Sequence, residues 1–231
     1  MERRTRNVFF DAGGTLIRTR ESVGEIYCRR AAEFGVLVSA TELENQFRRV
    51  FSTAPPLAFA GASPDQLLRH EQAWWRAIMK RVFAGFAFAD FESFFHAVYR
   101  DFAQPENWEP FPDVEAVLEH LRERKISLGV ISNFDSRLVP IFDGLGLTKF
   151  FDSVIFSSGA GFAKPDARIF AHALKMHGAL AEAAVHVGDS QSEDIEGARA
   201  AGMRAVLVRV NGRGLDAVVE AVDVFEPNPR P

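Results

Sequence analysis

The stretch Val8–Ile17, VFFDAGGTLI, decides how the rest of the chain is read. Val8, Phe9 and Phe10 form an apolar run that ends on Asp11, and Gly13, Gly14 and Thr15 follow. An apolar run closed by turn residues is the pattern of a strand buried on both faces. Such strands belong to parallel sheets covered by helices, and those sheets bind ligands at the carboxyl ends of their strands. Asp11 stands at that end. The glycines let backbone come close to a ligand, and Gly14 permits a turn without a Cβ penalty.

From about Phe111 onward the same texture repeats. DVEAVLEHLRERK, SRLVPIFDGLG, ARIFAHALKMHG and SEDIEGARAAG read as helices. ISLGVISN, FDSVIFSS, AVHVGD and RAVLVRV read as strands between them. The alternation predicts an α/β fold with a doubly wound parallel sheet. Between the first strand and this part, Ser22 to about Ala103 is helical and almost strand-free. VGEIYCRRAAEFG stops at Gly35, and TELENQFRRVF has Thr41 and Glu44 in capping-box spacing. Ser63 and Pro64 are placed as N-cap and first residue of a third helix. ADFESFFHAVYRDF is the fourth, and TAPPLAFAGAS is a loop. The predicted division is a core of residues 1–20 and 104–231 with a helical domain, 21–103, inserted into it. The tail EPNPRP is predicted to be a loose end.

Composition narrows the partners. The chain has 231 residues, 47% hydrophobic and 25% charged, which is ample for a core. Its net charge of −4 gives no reason to expect nucleic acid or an anionic membrane. The basic start ERRTR runs straight into a strand and does not read as an export signal. No apolar run approaches the roughly 20 residues that cross a bilayer. With Cys28 alone no intrachain disulfide is possible, which fits a reducing cytoplasm, and Cys28 reads as a small core residue. A small-molecule partner and a monomer or homodimer are the expectation.

The polar residues at the predicted strand ends form one set. Asp11, Gly13, Gly14 and Thr15 follow the first strand, and Ser132 and Asn133 follow LGVI. Lys164 and Pro165 follow VIFSSGAGFA, and Gly188, Asp189 and Ser190 follow VHV, with Asp194 a turn later. Taken singly each has a plainer role as a helix cap, a turn former or a surface lysine. Their ordered placement after four successive strands brings them to one rim. Clustered carboxylates repel one another and call for a cation, and Mg²⁺ shared with phosphate and water suits them. Lys164 would neutralise a phosphate or the attacking carboxylate.

DAGGTL, VISN, KPDARIF and VGDSQSEDIEGARAAGM together resemble the four motifs of the haloacid dehalogenase-like hydrolase superfamily. The resemblance spans the chain, and the helical insertion is similar to the family's helical cap of the subfamily I type. VGEIYCRRAAEFG, APPLAF and SNFDSR resemble the branch related to rhythmically expressed gene 2 proteins. The resemblance implies a Rossmann-like core and a Mg²⁺-dependent phosphatase acting on a small phosphorylated metabolite. Asp11 would be the nucleophile that forms an aspartyl-phosphate. Ser132 would hydrogen-bond the transferring group, and Lys164 would steady its charge. Gly14, Thr15 and Asn133 would bind phosphate. Asp11, Asp189, Asp194 and the Gly13 carbonyl would hold the metal.

Gly13 departs from the family pattern. Phosphatases of the superfamily usually carry a second aspartate there, which protonates the leaving group and then activates water. General acid–base catalysis contributes ~10²–10⁴-fold, so its loss predicts slow turnover. Glu21, His70 or Glu109 could substitute. Alternatively the chain is a catalytically impaired ligand-binding or regulatory member. A metal-independent 2-haloacid dehalogenase is a lesser alternative. It shares the SN of the second motif, but usually has an aromatic residue in place of Gly13 and lacks the aspartate found here as Asp189.

Phe83, Phe86, Phe88, Phe91, Phe94, Phe95 and Phe102 crowd the end of the insertion, after Trp74 and Trp75. The reading preferred here is a bundle core, with an apolar substrate pocket or subunit contact as the other. Adjacent Trp74 and Trp75 are not expected to share one helix face. Arg18 and Arg20 read as solvated surface side chains.

Overall fold

The protein is described from a computed structural model covering residues 7–208 together with Gly214, Val218 and Val219. The basic start, the last residues of RAVLVRV and the tail Glu226–Pro231 lie outside the described residues. Strand β1 (Asn7–Phe10) is followed by β2 (Ile17–Thr19) and then by α1 (Val23–Glu33), α2 (Ala40–Phe51), α3 (Pro64–Val82) and α4 (Phe91–Asp101). The chain returns through β3 (Trp108–Pro110) to α5 (Val114–Glu123), β4 (Ser127–Ser132) and α6 (Leu138–Gly144). Next come β5 (Ser153–Phe156), α7 (Ser157–Ala160), α8 (Ala167–Met176) and β6 (Ala184–Gly188). A π-helical turn (Gln191–Glu196) then runs into α9 (Gly197–Ala200), ahead of β7 (Arg204–Leu207).

The main sheet has the order β5-β4-β1-β6-β7, and every neighbouring pair is parallel. All residues of β1 are buried. Because side chains alternate across a strand, Val8 and Phe10 join one core with α5 and α6, and Phe9 joins the other with α8. This is the expected doubly wound arrangement. The chain steps from β1 outward to β4 and β5, then crosses to β6 and β7, so the order reverses at β1. A crevice opens at such a reversal, and Asp11 is carried to it. The Asp11 amide still donates to Val187 O at 2.8 Å, which holds the residue at the sheet edge.

Helices α1 to α4 build their own apolar core. Tyr27, Leu43, Ile78, Phe94 and Phe95 are all but fully buried in it. Phe83, Phe86, Phe88 and Phe91 pack with them, and Phe102 touches both this core and that of the sheet. The phenylalanine concentration is thus largely bundle packing. Cys28 also packs here, and its thiol donates to Val38 O at 3.1 Å.

Three local features differ from expectation. Ser39, not Thr41, caps α2, accepting the Glu42 amide at 3.2 Å. Glu44 instead reaches across to the Gly24 amide at 2.8 Å, because Gly24 lets α1 sit close against α2. By contrast Ser63 and Pro64 open α3 as expected, with Gln66 accepting the Ser63 amide at 2.9 Å. Second, β2 and β3 pair as an antiparallel ribbon where the chain enters and leaves the insertion. Three residues a side are too few to show a period-2 pattern. Third, FDSVIFSS stops being a strand at Phe156. Ser157 turns to donate to Leu57 O at 2.7 Å, and Phe59 N donates to Ser158 O at 3.1 Å, so the loop before α3 docks there. Among the described residues no helix is long and apolar enough to cross a membrane.

Candidate active site

Lys164 is the residue around which the site is built. It is 3% exposed, and its ammonium donates to Asp11 Oδ1 at 2.6 Å and to Asp194 Oδ1 at 2.5 Å. Burial alone would push the Lys164 pKa down. The charges of Asp11 and Asp194, and their hydrogen bonds, outweigh it and hold the ammonium above its ordinary value. Asn133 fixes the Lys164 backbone from both sides: its Nδ2 donates to Lys164 O at 3.0 Å, and its Oδ1 accepts the Lys164 amide at 2.7 Å. Asn133 borders the same cavity, but its side chain serves chiefly to place Lys164.

Asp194 is buried, and both of its oxygens accept hydrogen bonds. Its Oδ1 meets Lys164 and His186 Nε2, the latter at 2.8 Å, and its Oδ2 accepts the Ser190 amide at 3.0 Å. Burial opposes ionisation, but His186 and Lys164 hold this carboxyl far below its ordinary range. His186 is completely buried, which lowers its pKa, and its Nε2 faces the Asp194 carboxylate. His186 is a site residue that the sequence reading missed. Its one signal was a polar residue inside the apolar strand AVHVG.

Asp189 faces the cavity next to this pair. Oxygens of Asp11, Asp189 and Asp194 lie within 4.8 Å of one another. The Asp189 pKa is raised to about 6, first by loss of hydration and then by the charges of Asp11 and Asp194. That repulsion is what a divalent cation would relieve, and an all-carboxylate donor set suits a hard ion such as Mg²⁺.

The two glycines of the opening stretch play opposite parts. Gly14 has φ +87°, and a Cβ there would lie 2.6 Å from Asp189 Oδ2, so only glycine fits. Gly13 borders the cavity, and a Cβ added there would meet nothing within 4 Å. The turn consumes its own amides: Gly14 N donates to Ile17 O at 3.0 Å and Thr15 N to Ala12 O at 3.3 Å. Thr15 is buried beneath the turn and does not border the cavity, and its hydroxyl has no hydrogen-bond partner. The expectation that Thr15 offers its amide and hydroxyl to phosphate therefore needs correction. Leu16 and Ile17 also donate to Ala12 O, and this winds the chain so that Thr15 faces inward.

The cavity has a volume of about 670 Å³ and is bordered by Asp11, Gly13, Gly14, Ser132, Lys164 and Asp189. The insertion supplies the opposite wall through Phe47, Phe51, Trp74, Trp75 and Leu57. Both tryptophans reach it, contrary to the simple helix-face expectation. They meet edge to face at 4.9 Å, and Trp74 Nε1 donates to Pro55 O while Trp75 Nε1 donates to Asp135 Oδ2. None of Glu21, His70 and Glu109 borders the cavity. Glu21 pairs with Arg29, His70 packs on Phe59, and Glu109 takes Arg18 and Arg20 in surface ion pairs. Among the described residues, the carboxylic acid that does border it besides the three aspartates is Glu193, whose pKa burial raises.

Two further buried acids tie the insertion to this rim. Glu71 of α3 is fully buried and accepts the Ser136 amide at 3.0 Å and the Ser136 and Ser158 hydroxyls at 2.5 Å each. Asp135, also fully buried, takes Arg137 Nε at 2.9 Å and Nη2 at 2.6 Å together with Trp75. Arg137 also reaches Tyr99 O of α4 at 3.3 Å. The loop that carries Ser132 and Asn133 is therefore clamped to α3 and α4 within five residues of the site.

Comparison with known proteins shows the family. The family model for haloacid dehalogenase-like hydrolases matches residues 5–202. Haloacid dehalogenase-like hydrolase domain-containing protein 3 of Bos taurus is 37% identical over 207 residues, covering 86% of this chain and 80% of its own. The rhythmically expressed gene 2 protein of Drosophila melanogaster is 28% identical, covering 89% of this chain and 83% of its own. Glyceraldehyde 3-phosphate phosphatase of Methanothermobacter thermautotrophicus is 40% identical over 121 residues, covering 48% of this chain and 54% of its own. In fold, the HAD-hydrolase YfnB of Bacillus subtilis, solved bound to magnesium, superposes with a TM-score of 0.72 at 16% identity, covering 95% of this chain and 99% of that one. A rim of ordered carboxylates around one buried lysine, a parallel core and these matches together place the chain among the haloacid dehalogenase-like hydrolases, on the branch that includes the rhythmically expressed gene 2 proteins.

Proposed function

We propose that this hydrolase is a Mg²⁺-dependent phosphatase acting on a small phosphorylated metabolite in the cytoplasm, with slow turnover. The observation that carries the reading is the Lys164 ammonium set between Asp11 and Asp194, with Asp189 alongside. Asp11 Oδ1 is held by Lys164, which leaves Oδ2 to attack phosphorus. An Asp11–O–P bond forms, the ester P–O bond breaks, and the leaving oxygen takes a proton from water. A second water then cleaves the aspartyl-phosphate to inorganic phosphate and free Asp11. Lys164 balances the charge of the transferring group and Ser132, which borders the cavity, would hydrogen-bond it, in keeping with a chemistry that depends on positioning and neutralisation. Asp11, Asp189 and Asp194, with the Gly13 carbonyl, would hold Mg²⁺, which would add further neutralisation of phosphoryl oxygens.

Gly13 favours a second reading, a ligand-binding member with little turnover, because none of the three substitute acids considered above borders the cavity. Attack on carbon without a metal suits the site less well, since it gives the Asp189 cluster no task. A phosphate-ester screen with Mg²⁺ tests the leading reading. Hydrolysis is expected above that of an Asp11→Asn control, and equal rates would sink it. Binding of Mg²⁺ and phosphate without turnover would favour the second reading.

Metal binding should depend on pH. Asp189 has a raised pKa of about 6, so below that value Mg²⁺ has to displace its proton. Affinity is expected to be level above neutrality and to fall by about tenfold per unit well below pH 6. Titration calorimetry at pH 5 and 7.5 checks this. Equal affinities at the two values would show that Asp189 is not a ligand.

A further inference from the structure

Next to the catalytic cavity lies a smaller space of about 130 Å³ between the helical insertion and the core. Tyr27, Met79 and Val98 line its depth, and Phe47, Phe51 and Trp75 belong to both spaces. The two therefore adjoin along an aromatic wall. Of the polar groups on that wall, Arg137 is held by Asp135 and the Trp75 indole N–H donates to the same carboxylate, while the buried Tyr99 hydroxyl has no partner among the described residues. The rest of the lining is largely apolar, so a water there would be short of the two to four partners it needs. Apolar cavities of about this size instead stay dry and accept a ring the size of benzene. A sugar or polyol would lose the hydration of its hydroxyls there and recover few hydrogen bonds.

We propose that the substrate carries an apolar group the size of a benzene ring, seated in this side cavity while its phosphate meets Asp11 and Lys164. This rests on the phosphatase reading and adds a substrate class to it: aryl or arylalkyl phosphate monoesters rather than sugar phosphates. The flat walls of Phe47, Phe51 and Trp75 offer the face and edge contacts that a ring uses. Phe51 stacks on Trp75 at 6.1 Å with a 20° tilt, so the wall is already ordered for that purpose.

Hydrolysis-resistant phosphonates test the assignment by binding alone. Calorimetry on the wild-type protein with Mg²⁺ would compare phenyl-, benzyl- and phenethylphosphonate with methylphosphonate and 2-hydroxyethylphosphonate. The best aryl compound is expected to bind at least about tenfold tighter than methylphosphonate, and the hydroxyethyl compound no tighter. Val23, at the start of α1, borders both spaces, and Val23→Phe should reduce the aryl advantage to near onefold by filling the side cavity. Measurable but equal affinity for aryl and methyl compounds would overturn the side-cavity assignment and leave the phosphatase reading standing. Failure of every phosphonate and of inorganic phosphate to bind would overturn both. The wild-type comparison decides the matter even if the variant does not fold.

Discussion

Gly13→Asp is expected to raise phosphate-ester hydrolysis by about 10²–10⁴-fold, the usual contribution of a positioned acid–base group. The structure has room for it. Gly13 borders the cavity that holds Asp11 and Lys164, a Cβ built there meets no atom within 4 Å, and its φ lies outside the left-handed region. The new carboxyl would stand two residues beyond Asp11, on the cavity side of the turn. The gain should be larger for an alkyl ester than for a nitrophenyl ester, because a poor leaving group depends more on being protonated. It should disappear when Asp11→Asn is added. Steady-state kcat/KM for the two ester types checks both points. A folded Gly13→Asp protein that binds Mg²⁺ but gains no activity would count against phosphatase chemistry at this site. The neighbouring position is the contrast: Gly14→Ala would drive a methyl group against Asp189 in a backbone conformation that alanine disfavours, and a loss of metal binding is the expected result.

Asp135→Ala is expected to cost about 3–5 kcal/mol of stability, the range for removing one partner of a buried ion pair. For a domain of this size that lowers Tm by about 6–20 °C. Asp135 is fully buried and Arg137 is 8% exposed, so the guanidinium would be left with the Tyr99 carbonyl and the faces of the Tyr99 and Trp75 rings, and with no counter-charge from Asp135. The Trp75 indole N–H would lose its acceptor as well. Activity should fall too, because Asp135 lies three residues beyond Ser132 and holds that loop against α3 and α4. Replacing both partners, as in Asp135→Ala with Arg137→Met, should recover much of the stability, since no uncompensated charge stays buried. Thermal and urea unfolding of the single and double variants measure this. A single variant within about 1 kcal/mol of the wild type would show that the clamp does not hold the insertion to the core.

The order and type of the main elements were legible from short-range pattern alone. Val8–Phe10, LGVI and VHV are apolar on both faces of their strands, and that follows from being central in a covered sheet. Asp11, Lys164, Asp189 and Asp194 were legible for a related reason. Parallel strands that alternate with helices place their carboxyl ends at one rim, so residues after successive strands are brought together by topology. Even a capping residue was readable where the signal was purely local, as at Ser63 and Pro64. Ser39 and Glu44 were not, because Glu44 was drawn to Gly24 on another helix, a choice made by packing.

What the tertiary structure alone decided is which side chains meet. Lys164 reaches Asp11 across 153 residues of chain and Asp194 across 30, and no local pattern records such a distance. His186 reads as an oddity inside a strand until Asp194 is seen beside it. Glu71 and Asp135 look like surface acids on a helix and in a loop, yet both are fully buried, because the insertion folds back over the rim and brings them hydroxyl, amide and guanidinium donors. Thr15 is taken out of the cavity by a turn that closes on its own amides. In each case hydrophobic pattern sets where an element lies and which way it faces. The partner of a buried polar group is settled only when elements distant in sequence dock and the group must find a hydrogen bond or lose the free energy of its hydration.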